Sequence, residues 1–426
     1  MSGKVGDNPY RASGVVACAA GGGGAIDWCT TAKTSPLTAD AGSGYFINTT
    51  CGAITLTLPS SPTAGDMVGF KDYAGTWDAN TLTLGRGGSK INGACCCATF
   101  TTQGQAVTMI YVDGTKGWQD VNDSTSDVTG GSFILATGGC ISTCGCYKNH
   151  KFQADATFNV TGVSTYSALN VVSYLVVAGG GGGGAAHGGG GGAGGYREGK
   201  DPGDPLAPSA SPLAAACSAL TVAAQGYPIS VGAGGAGGIQ PGGTASQGGS
   251  SIFSTITSAG GGLGATESGP AAGAGGSGGG GTYITTAGGA GDTPDVTPDQ
   301  GFAGGNGIPS GPYAPGGGGG AGAVGTNGSG GTAGPGGAGV TSSITTSAVQ
   351  RGGGGGGGHQ SYTTSAGGCG GAGGGGDGSQ GSGITGFDGT IYTGGGGGGG
   401  HANCPNPGQS GGTGGKGLVV IRYKYQ

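Results

Sequence analysis

Two uninterrupted runs of seven glycines, at 352–358 and 394–400, limit most strongly how this chain can fold. Shorter glycine runs accompany them, and 92 of the 118 glycines lie in residues 179–426. A segment so poor in side chains cannot build an ordinary hydrophobic core, and glycine loses more conformational freedom on folding than any other residue. The C-terminal part of the chain is therefore either a flexible linker or a structure held together by its backbone.

Apolar segments favour the ordered alternative. Flexible linkers are usually diluted with serine and charge, whereas residues 179–426 carry few charged residues and no charge run. Strand-like segments interrupt and frame the glycine-rich region, and they would promote aggregation if they were left exposed. They lie at Val171–Val177, Tyr227–Val231, Ser251–Phe253, Ser343–Thr345 and Leu418–Tyr423. We therefore predict that the region is folded.

The regular structure open to such a region is a threefold extended helix. Glycine disfavours the α-helix by about 1 kcal/mol per residue against alanine, and it offers a β-sheet no side chain to pack. The threefold helix has no internal hydrogen bonds, so a bundle must satisfy its N–H and C=O groups sideways. Collagen is excluded because glycine does not recur at every third position and only 19 prolines are present. The sequence predicts a polyglycine-II helical bundle over residues 179–426.

The preceding residues predict small all-β modules and essentially no α-helix, since no 3.6-residue apolar period persists. Ala53–Leu58 alternates apolar and polar residues, and Trp77 and Trp118 are expected to cap a small core. Further strands are predicted at Met67–Phe70, Thr81–Leu84, Val107–Val112, Phe133–Leu135 and Thr157–Val160. The predicted organisation is an attachment segment at 1–40, a β-module at 41–125, a second β-unit at 126–178 and the glycine-rich bundle at 179–426.

Composition argues against several functional classes. Charged residues make up 8% of the chain, the net charge is −5 and no basic stripe is present, so no nucleic-acid partner is expected. The chain has no run of about 20 apolar residues, so we expect no insertion into a membrane. Residues 1–7 lack the apolar core of a secretory signal. The sequence has no recognisable catalytic constellation. No phosphate-binding GK[ST] motif follows the glycine runs. We therefore expect neither enzyme activity nor a cofactor. We also expect that the protein is synthesised in a cytoplasm.

The twelve cysteines leave two interpretations open. Their even number suggests disulfides of undeducible connectivity, while synthesis in a cytoplasm favours reduced thiols at assembly. Cys140, Cys144 and Cys146, with His150, offer thiolates and an imidazole that suit zinc, although their spacing matches no common zinc finger. We favour disulfides or buried thiols and keep the metal site as the alternative.

Several short phrases resemble tail-fibre proteins of aquatic bacteriophages. They lie at Lys4–Arg11, Gly44–Thr50, Thr55–Pro59, Val171–Gly184 and Gly417–Tyr423. The glycine-rich region is similar in style to phage adhesins whose tips stack polyglycine helices in a sandwich. The resemblance implies a virion location, a homotrimeric fibre, contacts with other tail or baseplate proteins, and loops that bind a host surface receptor such as a glycan or an outer-membrane protein.

Aromatic and histidine side chains in the predicted loops are the candidate receptor contacts, because aromatic groups dominate recognition energetics. The candidates are Tyr313, His359, Tyr362, Phe387, Tyr392 and His401. In the alternative interpretation, the aromatic groups only cover the ends of the bundle. His187, His359 and His401 each adjoin a glycine run, and they form either a ring that binds a metal or an anion, or ordinary solvated turns.

The function expected from these observations is a phage tail fibre that attaches to the host cell surface through loops of its glycine-rich domain. Two alternatives belong to other classes. One is a purely structural appendage, or a fibre that decorates a capsid, without a receptor. The other is a free extracellular glycine-rich filament, including an ice-binding protein, that assembles without a virion.

Overall fold

The computed structural model describes residues 26–121, 133–164, 167–201, 204, 214–215, 219–241, 243–358, 367–381, 383–402 and 408–425. The chain divides into two compact units, with the division after residue 132. The regular structure described is β-strand apart from one 3-10 turn, Ser167–Leu169, which confirms the predicted all-β N-terminal part and the near absence of helix. No helix in the described ranges has the length and apolar character needed to cross a membrane.

The first unit contains two sheets. Their strands are β1 Asp27–Lys33, β2 Leu37–Thr38, β3 Ser43–Ile47, β4 Ile54–Thr57, β5 Met67–Asp72, β6 Leu82–Gly85, β7 Ala98–Phe100, β8 Ala106–Asp113 and β9 Gly117–Asp120. One sheet has the order β1-β3-β5-β8-β9 and the other β2-β4-β6-β7. Because β1 pairs in parallel with β3, the described part of the predicted attachment segment lies within the sheets of this unit.

Both sheets of the first unit contribute to one hydrophobic core. Ile54 and Leu56 are buried and alternate with half-buried threonines, as the predicted period of two requires. Trp77 and Trp118 are fully buried, so they lie inside the core instead of capping it. The Trp77 ring packs against Phe70 and Phe100, with centroid distances of 6.2 and 5.9 Å.

The second unit also contains two large sheets. Its strands are β10 Leu135–Thr137, β11 Cys140–Cys144, β12 Tyr147–Phe152, β13 Ala156–Gly162, β14 Val171–Val177, β15 Tyr196–Gly199, β16 Ala214–Ala215, β17 Leu220–Thr221, β18 Gly226–Ser230, β19 Ser251–Phe253, β20 Ile256–Ser258, β21 Val340–Ser342, β22 Val349–Arg351 and β23 Leu418–Lys424. One sheet has the order β11-β12-β23-β14-β15-β16, and the other β10-β13-β18-β19-β20. Ser343–Thr345, predicted as strand-like, instead connects the hairpin β21–β22.

Strand β23 holds the second unit together. It lies between β12 and β14 and pairs antiparallel with both. Six of its seven residues are buried, because its two faces pack into different hydrophobic clusters. The strands of the predicted 126–178 unit therefore share their sheets with strands from beyond residue 178.

Extended glycine-rich segments run back and forth between β14 and β23 and bond to one another through their main chains. In the segment 188–195, the partner of each N–H group changes in a cycle of three: Gly189 bonds to Ala265 and Gly192 to Gly262. The other bonds of this cycle are Gly190 to Gly316, Ala193 to Gly319, Gly191 to Gly397 and Gly194 to Gly394. Every third residue of this segment thus faces the same neighbour.

The carbonyl groups of the same segment accept bonds from three further segments, through the N–H groups of Gly181, Gly280 and Gly355. The segment 188–195, which we call the central segment, is therefore enclosed by a ring. The ring segments are 178–184, 259–265, 277–281, 315–321, 352–358 and 394–400. A Cβ atom placed on Gly190 would lie 2.0 Å from the carbonyl oxygen of Gly355, so the close spacing requires glycine. Both seven-glycine runs are ring segments.

The glycine bundle has two chemically different ends. At the strand end, Ala178 follows β14, Gly195 precedes β15 and Gly417 precedes β23. At the opposite end, which we call the loop end, segments finish at Gly184, Ala265, Gly358 and Gly400, and the described parts of the connections between them are turns and irregular chain. Side chains from these connections, and not the glycines, supply the chemistry of the loop end.

Candidate functional site

The middle of the loop end is a tight turn, residues 185–187, that leads from a ring segment into the central segment. Gly188, directly after the turn, donates an N–H bond to Gly400 and accepts one from Gly358, so two other ring segments finish beside it. Ala186 and His187 both have left-handed backbones, with φ of +42° and +46°. Such conformations cost about 1–3 kcal/mol each in non-glycine residues, and the surrounding main-chain bonds keep them in place.

Glu267 connects two neighbouring side chains at the loop end. Its Oε2 atom lies 3.3 Å from Nδ1 of His187, and its Oε1 atom accepts a bond of 2.5 Å from the Tyr283 hydroxyl. Glu267 follows one ring segment and Tyr283 follows another. The bundle therefore brings both side chains next to His187, although they lie 80 or more positions after it in the sequence. The side chains of His187 and Glu267 are 13% and 30% exposed.

Tyr313 completes the cluster. Its ring lies 4.4 Å from the ring of Tyr283, centroid to centroid, at an interplanar angle of 33°. The imidazole of His187 meets Tyr283 edge-on at 5.1 Å and Tyr313 at 6.5 Å. Offset and edge-to-face contacts of this kind add about 0.5–1.5 kcal/mol to the burial of each ring. We call His187, Glu267, Tyr283 and Tyr313 the loop-end cluster.

The electrostatics of the loop-end cluster hold Tyr283 as a neutral donor. Burial, followed by the hydrogen bond to Glu267 and the charge of Glu267, raises the pKa of the Tyr283 phenol to about 12. The Nε2 atom of His187 is buried and bonds to no group among the described residues. A carboxylate beside two partly exposed aromatic rings suits a ligand that presents hydroxyl or amino donors together with an apolar face.

The predicted receptor contacts lie in different parts of the unit. Tyr313 belongs to the loop-end cluster. His401 also lies at the loop end, but its side chain is buried, with 1% exposure, and its carbonyl accepts a bond from Gln409 N–H. Phe387 is 50% exposed within an outer extended segment, and Tyr392 lies in a turn at the strand end with φ of +62°. His359 and Tyr362 lie outside the described residues.

Sequence reasoning missed two members of the cluster. Neither Glu267 nor Tyr283 is among the predicted receptor contacts. A usable signal was present, because both residues stand one or two positions after a segment of small residues, as His187, His359 and His401 do. What the spacing did not show is that these segments finish at the same end of the bundle.

The cysteine–histidine candidate for zinc does not form a metal-binding group. His150 is fully buried: its Nδ1 lies 2.6 Å from the carbonyl oxygen of Gly138, and its Nε2 lies 3.0 Å from the Tyr423 hydroxyl. Cys140 is exposed on the neighbouring strand and stands opposite Lys151. No three histidine, cysteine, aspartate or glutamate side chains within the described ranges are arranged to hold a metal ion.

The sequence favoured disulfides or buried thiols, but several described cysteines show neither, because their thiols are free and at least partly exposed. The cysteines with free thiols include Cys29, Cys51, Cys97, Cys140, Cys144 and Cys369. Cys18, Cys217 and Cys404 lie outside the described residues. Within the described residues, main-chain hydrogen bonds and the sheets at the strand end connect the segments of the bundle.

Comparison with known proteins identifies the second unit. No curated protein is significantly similar to the chain. A family model described as a glycine-rich domain matches residues 155–424, which is more than half of the chain. The match begins one residue before β13 and ends at the last residue of β23, so it covers the bundle and most of the strands that frame it. The chain belongs to the glycine-rich domain family.

Proposed function

We propose that this protein is a component of a bacteriophage tail fibre that binds the host cell surface through the loop end of its glycine bundle. In this proposal the glycine bundle is a stiff base of polyglycine-II helices, and the loop-end cluster contributes to the contact surface. The observation that carries the proposal is the separation of the two ends: strands frame one end, and a cluster of aromatic, carboxylate and imidazole groups forms the other.

The hydrogen-bond pattern supports the assignment of polyglycine-II helices. A helix with three residues per turn and no internal hydrogen bonds presents successive N–H groups to three different neighbours, and the central segment bonds in this cycle. The absence of room for a Cβ on Gly190 supports the same geometry. A platform whose main-chain groups are bonded on all sides positions loop residues more accurately than a free loop.

The chemistry of the loop-end cluster supports recognition of a surface. Tyrosines offer a large contact area at a small entropic cost, and their hydroxyl groups add hydrogen bonds. Tyr283 and Tyr313 are partly exposed, and Glu267 fixes the orientation of the Tyr283 phenol. A receptor with sugar hydroxyls, or a protein loop with polar side chains, fits this combination.

The particle-level features of the proposal come from the sequence resemblance. In it, three copies form a homotrimeric fibre on the virion, and residues 1–40 attach the fibre to other tail or baseplate proteins. The receptor is a glycan or an outer-membrane protein of the host. Copies of the same chain in a closed symmetric assembly protect exposed strand edges.

A binding experiment tests the proposal. Fluorescently labelled full-length protein is incubated with intact cells and with outer-membrane fractions from a panel of aquatic bacteria, and bound protein is measured by flow cytometry and sedimentation. We expect saturable binding to at least one strain. Tyr313→Ala and Tyr283→Ala should weaken it about tenfold or more, as losing one well-buried aromatic contact does.

Matched controls separate receptor contact from general damage. Phe387→Ala and Tyr392→Ala remove the two predicted receptor contacts that lie away from the loop-end cluster, so unchanged binding in these variants would confine the contact surface to the cluster. Thermal unfolding of each variant checks that the bundle remains folded. Absence of binding to every envelope fraction would favour the purely structural appendage, and equal loss of binding in all four variants would reject the loop end as the contact surface.

A further inference from the structure

Strand β11 is an open edge with an unusual sequence. It is the outermost strand of its sheet in the described part of the chain, and four of its five residues are exposed. Ile141 is 47% exposed, and the strand has none of the lysine or proline that usually protects an edge from pairing. Cys140 and Cys144 stand at its two ends with free thiols.

The hairpin fixes which main-chain groups of β11 are available. Cys144 pairs with Tyr147 around the two-residue turn 145–146, and Gly145 has φ of +56°. The pair that closes a two-residue hairpin exchanges hydrogen bonds, and bonded pairs alternate with non-bonded pairs along an antiparallel ladder. Cys140, Ser142 and Cys144 therefore direct their N–H and C=O groups to β12. Ile141 and Thr143 direct theirs to the open edge.

We propose that a second copy of this chain docks on the edge, with the two β11 strands antiparallel and centred on Ser142. In this register Ile141 of each copy exchanges main-chain hydrogen bonds with Thr143 of the other. Cys140 of each copy then stands opposite Cys144 of the other at a non-bonded position. The strand is complementary to itself, because its two cysteines and its two β-branched bonding residues are placed symmetrically about Ser142.

The distances favour disulfides between copies and exclude a disulfide within one copy. Opposed residues at a non-bonded position have Cα atoms about 4.5 Å apart, which lies within the range of roughly 4.4–6.8 Å for disulfides. Within one strand, Cys140 and Cys144 are separated by four residues, or about 13 Å. The contact therefore forms two equivalent Cys140–Cys144 bridges.

Each bridge needs an oxidant. Two thiols lose two protons and two electrons as the sulfur–sulfur bond forms, and dissolved dioxygen accepts them to give hydrogen peroxide. Thiols stay reduced in a cytoplasm, so the bridges form after the protein reaches an oxidising medium. The hydrogen-bonded pairing precedes them and brings the sulfur atoms together.

Charge opposes the contact only weakly. Lys148 and Lys151 lie on β12 of each copy, and the two β12 strands stand three strand spacings, about 14 Å, apart in the pair. This separation exceeds the Debye length of about 8 Å at physiological ionic strength. The contact has twofold symmetry and does not involve the loop end. A threefold contact in the proposed fibre must therefore use another surface, and the two proposals fail independently.

A mixing experiment tests the register. Full-length Cys140→Ser and Cys144→Ser chains, carrying different affinity tags, are exposed to air separately and together and run on non-reducing gels. Wild type should give a covalent dimer and each variant alone should remain single. The mixture should give one covalent hetero-pair, through Cys144 of the first chain and Cys140 of the second. Cys51→Ser removes another exposed thiol and should dimerise as wild type does.

Two results would overturn the proposal: covalent dimers of either variant alone at the wild-type level, or no hetero-pair in the mixture. Thr143→Pro provides a second measurement, since the N–H group it removes points to the open edge and the β11–β12 ladder stays intact. This variant should keep the wild-type unfolding temperature and lose the dimer. A Thr143→Pro chain that dimerises normally would exclude the proposed hydrogen-bonded pairing.

Discussion

The Tyr423 hydroxyl donates a hydrogen bond to Nε2 of His150 over 3.0 Å, although 273 residues separate them in the sequence. The direction follows from the other side of the imidazole, where Nδ1 lies 2.6 Å from the carbonyl oxygen of Gly138, which only accepts. Both side chains are buried. The bond joins β12 to β23 inside the core, and it requires a neutral imidazole with its proton on Nδ1.

Tyr423→Phe should destabilise the second unit by about 1–3 kcal/mol, because it leaves the Nε2 acceptor of His150 buried and unpaired. The free energy of unfolding is measured by urea denaturation at neutral pH. Tyr425→Phe serves as the control, since Tyr425 is only partly buried. A loss below about 0.5 kcal/mol would mean that another donor takes the place of the hydroxyl.

Acid should weaken the same region. Burial, and to a smaller extent the charge of Lys148, lowers the pKa of His150 below its ordinary value of 6.5, while the Gly138 carbonyl opposes the shift. The unfolded chain therefore binds a proton more readily than the folded chain, and stability is lost as pH falls below about 6.5. Unfolding free energies measured between pH 7.5 and 5 should show this slope. His150→Gln should reduce the slope, and an unchanged slope would contradict the assignment.

Gly190→Ala should disrupt the glycine bundle. The added Cβ would lie 2.0 Å from the carbonyl oxygen of Gly355 in a main-chain lattice that has no flexible side chain to move aside. We expect a loss of more than about 3 kcal/mol, beyond ordinary overpacking, measured by unfolding and by amide exchange of the ring segments. Gly311→Ala is the matched control, because nothing lies within 4 Å of its Cβ position. Equal stability of the two variants would refute the close packing described for the central segment.

Asp204→Ala should strongly destabilise the second unit. Asp204 Oδ2 accepts a bond of 2.6 Å from Nε of Arg422, and both side chains are fully buried. Removing one partner of a buried ion pair costs about 3–5 kcal/mol, whereas replacing both partners by apolar groups costs much less. Asp204→Leu combined with Arg422→Met should therefore recover most of the lost unfolding free energy. Asp299→Ala, at an exposed position, should change the free energy of unfolding by only about a few tenths of a kcal/mol. A similar effect at both sites would exclude a special role for the buried pair.

The sequence predicted strands well where one face alternates with threonines or where the whole strand is apolar. Ile54 and Leu56 alternate with threonines, and Val171–Val177 and Leu418–Tyr423 are apolar enough to be recognised as strands. Their pairing was not predictable. Val177 stands opposite Leu418 because the bundle returns the chain to the place where it departed, and no local pattern encodes that return.

The loop-end cluster was only partly predictable for the same reason. Tyr313 was selected as an aromatic residue in a loop. Glu267 was not, because a lone carboxylate between serine and threonine has no distinguishing pattern. His150 was judged by its neighbouring cysteines and proved to be a core residue, since the register of β12 turns it toward Phe158 and Tyr423. Side-chain partners depended on which segments the main chain placed side by side.

The position of β23 between β12 and β14 has a consequence for biosynthesis. Residues 418–424 must leave the ribosome before β12 and β14 can pair with β23. The edge of each strand that faces β23 therefore stays unpaired while the bundle is being synthesised. Contacts so distant in sequence form slowly, and unpaired apolar strands invite association between nascent chains. A truncation that removes these seven residues should therefore yield insoluble protein, even with every glycine segment present.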